Sequence, residues 1–170
     1  MNNQDHFQLL GLPQRFETDL DALERGFRNI QSSVHPDRFV RAMDSERRMA
    51  MQLSTQVNEA YRVLVSPIER ALYLCRLHGV SPDTDRGVGL DLAFLNQQME
   101  WREQLDEARG DLRALTKLHE QLTQAQGERT GEVQRLIDEA HDYARATELA
   151  REMMFIEKFR HSLDAASRSL

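Results

Sequence analysis

Apolar residues in this chain form two stripes of helical period on either side of one proline-containing break. Leu20, Leu23, Phe27, Ile30 and Val34 are spaced 3, 4, 3 and 4. Met43, Ala50, Leu53, Val57, Ala60 and Leu64 make the second stripe. Spacings of three and four put side chains on one face of an α-helix, whereas a half-buried strand needs strict alternation. The stripes predict helices over about 18–33 and 44–64, with Thr18 or Asp19 capping the first. Between them stands His35-Pro36-Asp37. Pro36 lacks an N–H and disfavours helix at the preceding residue, so the first of the two helices ends near Val34. A connection of roughly ten residues lets them pair antiparallel.

The same period organises the rest of the chain. A short helix is expected over Asp5–Leu10, stopped by Gly11-Leu12-Pro13. Another begins at Ser66-Pro67, carries Ile68, Leu72 and Cys75, and ends at Gly79. Residues 81–89 are the most turn-rich stretch. They set the expected division: a first domain over 1–79, a linker over 80–90 and a second domain over 91–170. In that second domain three helices are predicted, over Asp91–Arg109, Asp111 to about Gln126, and Gly131–Ser167. Gly110 and Gly127-Glu128-Arg129-Thr130-Gly131 are the expected breaks, and the last helix keeps a stripe of Leu136, Ala140, Leu149, Met153, Ile156 and Leu163. Three helices with short connections make an antiparallel bundle. The expected fold is all-α. Only four prolines and eight glycines punctuate 170 residues, which suits helices and argues against a sandwich or barrel. Met43, Met49 and Met51 are expected at the core and its edge, Trp101 as an anchor of the bundle core, and Cys75 buried and inert.

Several function classes fall away on composition. One cysteine allows neither a disulfide framework nor a Cys-based zinc site. No apolar run approaches the roughly 18 residues of a membrane span, and Met1-Asn2-Asn3-Gln4-Asp5 lacks the features of a secretory signal, so the cytoplasm is the expected location. The net charge of −6 is uneven: residues 1–80 hold 10 basic and 10 acidic side chains, residues 81–170 hold 12 and 18. An acidic second half fits a protein partner and argues against nucleic acid. His35 and Asp37 lack a nucleophile beyond the ordinary Ser32 and Ser33, so no catalysis is expected. The six histidines are scattered, and Glu157 with His161 reads as a helix-stabilising pair, so no metal or other cofactor is expected.

The tripeptide in the loop of a helical hairpin, behind a short helix ending in Leu10-Gly11-Leu12, resembles the J domain. That is the module by which co-chaperones act on ATPases of the DnaK class. Tyr61, within Asn58-Glu59-Ala60-Tyr61-Arg62-Val63-Leu64, belongs to the match. Phe7-Gln8-Leu9-Leu10-Gly11-Leu12-Pro13, His35-Pro36-Asp37-Arg38-Phe39 and Glu69-Arg70-Ala71-Leu72-Tyr73-Leu74 extend it. With Phe94-Leu95 and Glu100-Trp101-Arg102-Glu103-Gln104-Leu105-Asp106-Glu107, the whole chain resembles the HscB family of iron–sulfur assembly co-chaperones, in its bacterial form. The general-purpose DnaJ layout is set aside, since no Gly/Phe-rich linker or Cys-rich module is present.

The resemblance implies a J domain that activates a dedicated DnaK-class chaperone, HscA, and a bundle that delivers the iron–sulfur scaffold IscU. It implies no cofactor of the chain's own, and one cysteine could not ligate a cluster in the usual way. The ATPase contact is expected at His35, Pro36, Asp37, Arg25, Arg28 and Arg38. Arg38 stands where the family usually has Lys, and Arg25 and Arg28 are offset by Asp21 and Glu24. Physically, Pro36 fixes the loop and Asp37 offers a carboxylate to a partner's Arg or Lys in a charge-assisted bond. His35 adds a polar contact or braces the loop. A different client, or a structural protein that self-associates weakly through its bundle, are the rival readings.

Helical geometry places the client surface. In the helix from Asp91, the stripe Phe94, Gln98, Trp101, Leu105 and Ala108 is the natural core face. Leu92, Leu95 and Met99 form a second apolar stripe roughly a third of a turn away. Asn96, Glu100, Glu103 and Glu107 border it. An apolar strip with a charged border suits a protein-binding surface, and the resemblance points to the same region. Phe155 falls off the core stripe of the last helix and is expected beside Leu95 and Met99; the rival placement packs Leu95 and Met99 under the J domain. Asn96 stands where the family tends to have an apolar residue.

Overall fold

The structure, a computed structural model, describes residues 4–81 and 91–168. Helices make up its regular structure: α1 His6–Leu10, α2 Leu20–Ser33, α3 Asp44–Val65, α4 Pro67–Leu77, α5 Leu92–Glu107, α6 Leu112–Arg135 and α7 Tyr143–Arg168. No strand occurs among the described residues, so the fold is all-α. None of these helices is long and apolar enough to cross a membrane. The chain divides into two compact units, Met1–Leu74 and Cys75–Leu170. That division falls inside α4. Residues 82–90, most of the expected linker, lie outside the described residues.

In the first unit α1 and α2 each begin at an aspartate whose side chain satisfies free backbone donors. Asp5 accepts from the Gln8 N–H (2.8 Å), and Gln8 Oε1 accepts from the Asp5 N–H (3.3 Å), a reciprocal capping box. Asp19 Oδ1 accepts from the Asp21 and Ala22 N–H groups, 3.0 Å each. Gly11, at φ 71°, takes the left-handed conformation that closes α1. Phe7, Leu10, Leu23, Val57, Leu64 and Ile68 are among the buried core residues. Arg70 is buried at the α3–α4 corner, donating to the Leu64 carbonyl (2.6 Å) with its guanidinium over the Phe16 ring at 4.8 Å.

The pairing of α2 with α3 sets a register. Phe27 packs on Tyr61, ring centroids 4.4 Å apart, and Gln31 Nε2 donates to Asn58 Oδ1 at 2.5 Å. Continuing that register, the first ten or so residues of α3 extend past the end of α2. Two expectations are corrected in this segment, where Ala50 alone between Met43 and Met51 is buried. Met43, placed in the apolar stripe, precedes α3 and is exposed, and Met49 and Met51 are exposed as well. Leu20 also leaves the stripe: as the first residue of α2 it is exposed.

The second unit packs α5, α6 and α7 around Phe94, Trp101, Leu115, Leu122, Ile156 and Leu163. Its main departure from expectation lies between α6 and α7. Gly127-Glu128-Arg129-Thr130-Gly131 does not interrupt the chain; α6 runs through it to Arg135. A glycine inside a helix costs only about 1 kcal/mol relative to alanine. Continuity holds Arg129 where it donates to the Ala125 carbonyl (3.2 Å) and to Glu152 of α7 (2.7 Å). The real break follows a single π-helical turn, Leu136–Ala140, which leaves Ala140 exposed and off the expected stripe. His141 is left-handed at φ 54°, and Asp142 accepts from the Arg145 N–H (3.0 Å) to start α7.

Two expectations follow for stability and reactivity. Gly26 of α2 sits so close to α1 that an added Cβ would lie 2.4 Å from the Leu10 carbonyl oxygen. Gly26→Ala is therefore expected to destabilise by about 1–3 kcal/mol, the usual range for overpacking, read as a lower denaturation midpoint. Cys75 is buried, and burial pushes its thiol up from the ordinary value despite a hydrogen bond with Thr147. A thiol reagent at neutral pH is expected to label it in denaturant and to leave the folded chain unlabelled over the same interval.

Candidate functional site

The tripeptide loop is held by its own backbone. After Val34 the chain enters a 3-10 turn, Pro36–Phe39, with His35 as its cap. The Asp37 N–H donates to His35 Nδ1 (3.4 Å), and the Arg38 N–H donates to the His35 carbonyl (3.0 Å). Arg38 reaches back to the Ser32 carbonyl (3.4 Å). Asp37 Oδ2 lies 3.5 Å from His35 Nδ1, but the carboxylate side chain is 87% exposed. His35 thus braces the turn, while Asp37 projects into solvent. The hydroxyls of Ser32 and Ser33 donate to the Asn29 and Ile30 carbonyls within α2.

The two α2 arginines have acidic neighbours. Arg28 pairs with Glu24, and Arg25 Nη2 lies 3.9 Å from Asp19. All four side chains are substantially exposed, so these pairs are weak and can be exchanged for a partner's charges. Asp21, Glu24, Arg25 and Arg28 line one shallow depression on the helix.

On α5 the two stripes separate as their spacing implies. Phe94, Gln98, Trp101 and Ala108 are buried and Leu105 is half-buried. Leu92, Leu95 and Met99 are 70%, 41% and 59% exposed. Asn96, Glu100, Glu103 and Glu107 are exposed beside them. Phe155 lies deeper than expected. It is half-buried in the seam, edge-on to Phe94 (5.8 Å) and stacked on Phe159 (6.0 Å), with the Arg102 guanidinium 5.7 Å above its ring.

A polar cluster beside this strip has no counterpart in the sequence reading. Arg129 Nε donates to Glu152 Oε2 at 2.7 Å, and its Nη2 donates to Gln97 Oε1 at 3.1 Å. The guanidinium also lies 4.9 Å from the centre of the Phe94 ring. The partners stand 23 and 32 residues from Arg129 in the chain, so no local pattern announces them.

Known proteins share this architecture. The family model described as the HSCB C-terminal oligomerisation domain matches residues 90–164. The chain is 48% identical to a co-chaperone protein HscB homolog of Bordetella petrii, over 98% of each. It is 45% identical to the homolog of Aromatoleum aromaticum, over 98% of this chain and 96% of that one. The crystal structure of human co-chaperone protein HscB matches with a TM-score of 0.91 at 28% identity, covering 100% of this chain and 85% of that one. Chaperone HscB from Vibrio cholerae matches with a TM-score of 0.86 at 31% identity, covering 98% and 99%. With two relatives near half identity along their whole length, the chain belongs to the HscB family of co-chaperone proteins.

Proposed function

We propose that this co-chaperone acts in the cytoplasm in iron–sulfur cluster assembly, coupling a scaffold protein of the IscU type to a DnaK-class ATPase of the HscA type. Asp37, on its braced turn, takes a basic side chain of the ATPase chaperone, with His35, Pro36, Arg25, Arg28 and Arg38 around it. The chain performs no covalent chemistry of its own. Leu92, Leu95 and Met99, bordered by Asn96, Glu100, Glu103 and Glu107 and with Phe155 half-buried against Phe94 of the same helix, receive the scaffold. The observation that carries this reading is the pairing of two different exposed surfaces with two different compact units. Asp37 belongs to Met1–Leu74, and the apolar strip of α5 belongs to Cys75–Leu170.

A second reading has one specific support, the word oligomerisation in the description of the matching C-terminal family. On it, the α5 strip meets a second copy of the chain. Sizing across a hundredfold range of concentration decides between them. A constant monomer leaves the strip to the scaffold, and a dimer lost in the Leu95→Ala/Met99→Ala variant assigns it to self-association.

Two substitutions test the main reading. Asp37→Asn removes the charge from an exposed loop, where stability changes are usually within about 0.5 kcal/mol. It is expected to abolish stimulation of the chaperone ATPase in a steady-state assay while leaving scaffold affinity unchanged. Leu95→Ala/Met99→Ala is expected to do the reverse. It should weaken scaffold binding at least tenfold by calorimetry, which needs only about 1.4 kcal/mol, with scaffold-independent stimulation intact.

A further inference from the structure

α5 is apolar on two sides. Phe94, Trp101 and Ala108 are buried, while Leu92, Leu95 and Met99 are exposed roughly a third of a turn away. The hydrophobic effect is non-directional. Burial alone therefore holds such a helix poorly at one rotation about its axis, and directional contacts must do so.

Two arginines supply these contacts, one on each flank of the buried stripe. On the flank leading to Asn96 and Glu100, Arg129 of α6 donates to Gln97 (3.1 Å) and stacks over Phe94 (4.9 Å). On the other flank, Arg102 of α5 lies over Phe155 of α7 (5.7 Å). Arg129 is itself fixed, donating to Glu152 (2.7 Å) and to the Ala125 carbonyl (3.2 Å). One guanidinium thus joins α5, α6 and α7. A lysine lacks the planar fork that makes three such bonds at once. Gln97, Arg129 and Glu152 line the same cleft, of about 470 Å³, as Asn96 and Glu100 of the proposed client strip.

We propose that Arg129 is a positioning residue for client binding: anchored by Glu152, it grips α5 through Gln97 and Phe94 and sets the rotation at which Leu95, Asn96, Met99 and Glu100 are presented. The inference rests on the reading of that strip as the scaffold-binding surface. Arg129 and Glu152 do not contribute the contact themselves. Their side chains are only 15% and 5% exposed, so their influence on a partner passes through α5.

The test compares three variants with the full wild-type chain. Gln97→Ala removes the hydrogen-bonded part of the grip on α5 and leaves the ion pair and the stacking on Phe94. Arg129→Met/Glu152→Met removes the grip but leaves no buried charge unpaired, and such exchanges are often neutral for stability. Leu95→Ala/Met99→Ala is the control for the strip. Scaffold affinity by calorimetry, thermal melting and scaffold-independent ATPase stimulation are read for each. Both grip variants are expected to melt within about 4 °C of wild type and to stimulate normally. They are expected to bind an IscU-type scaffold about three- to tenfold more weakly. A merely structural role makes affinity follow melting, so wild-type affinity in Gln97→Ala, or in a normally melting double-methionine variant, overturns the proposal. The control tells the failures apart. If it loses affinity while the grip variants keep theirs, the positioning role alone falls. If it too binds as wild type, the strip is not the client surface and the positioning role falls with it.

Discussion

The contact of Phe27 with Tyr61 sets the register of the helical pair on which the first unit is built. Their rings, 4.4 Å apart, fix how far α2 and α3 slide past one another. The connection at the closed end of the hairpin starts from that register. The connecting segment leaves α2 at Val34, and α3 begins at Asp44. The 3-10 turn between them follows directly on the end of α2 and packs against α3, with Asp37 facing solvent. Close approach elsewhere seats α1 on this pair, since Gly26 brings α2 against the Leu10 carbonyl where no side chain fits. A carboxylate that must meet a partner's cation gains from such support, because little entropy remains to be lost when it binds.

The second unit solves a different problem. A helix whose apolar residues all lie on one side needs no further instruction about which side faces inward. α5 has two such sides, and its orientation draws on polar contacts: a guanidinium shared among three helices, with its carboxylate partner buried in α7. Buried ion pairs are weak contributors to stability on average. Their attested use is to select one arrangement among several of similar hydrophobic energy.

Local chemistry made much of this legible. A cap at Thr18 or Asp19, the proline at the start of α4 and the glycine after α1 are read from neighbours in the chain, and the corresponding helices begin and end within a residue or two of expectation. The separation of Phe94 and Trp101 from Leu95 and Met99 was likewise readable from period alone. What escaped depends on contacts between distant segments. Met43, Met49 and Met51 have the right polarity for a core, but Met43 precedes α3, and Met49 and Met51 lie about 100° to either side of the buried Ala50. Gly127 and Gly131 look like a break until Arg129 is seen to need a continuous helix beneath it. The break at His141-Asp142 carried one readable sign, an aspartate placed to cap Tyr143 onward, which two nearby glycines outweighed. Phe155 was placed on the outer surface because angular spacing counts a residue's own helix and not the aromatic neighbours on another.

Exposure also sorts the methionines by what oxidation would do to them. Conversion to the sulfoxide turns a soft apolar side chain into a polar one. At Met49 and Met51, which already point into water, that change disturbs no packing. At Met153, with no exposed surface in the heart of the second unit, the sulfoxide would be costly, but an oxidant has no access while the fold is intact. Met99 is the intermediate case, open to solvent and part of the apolar strip of α5. Oxidation of the exposed methionines at the hairpin thus leaves packing undisturbed, while Met99 ties the quality of a proposed binding surface to the oxidation state of one sulfur atom.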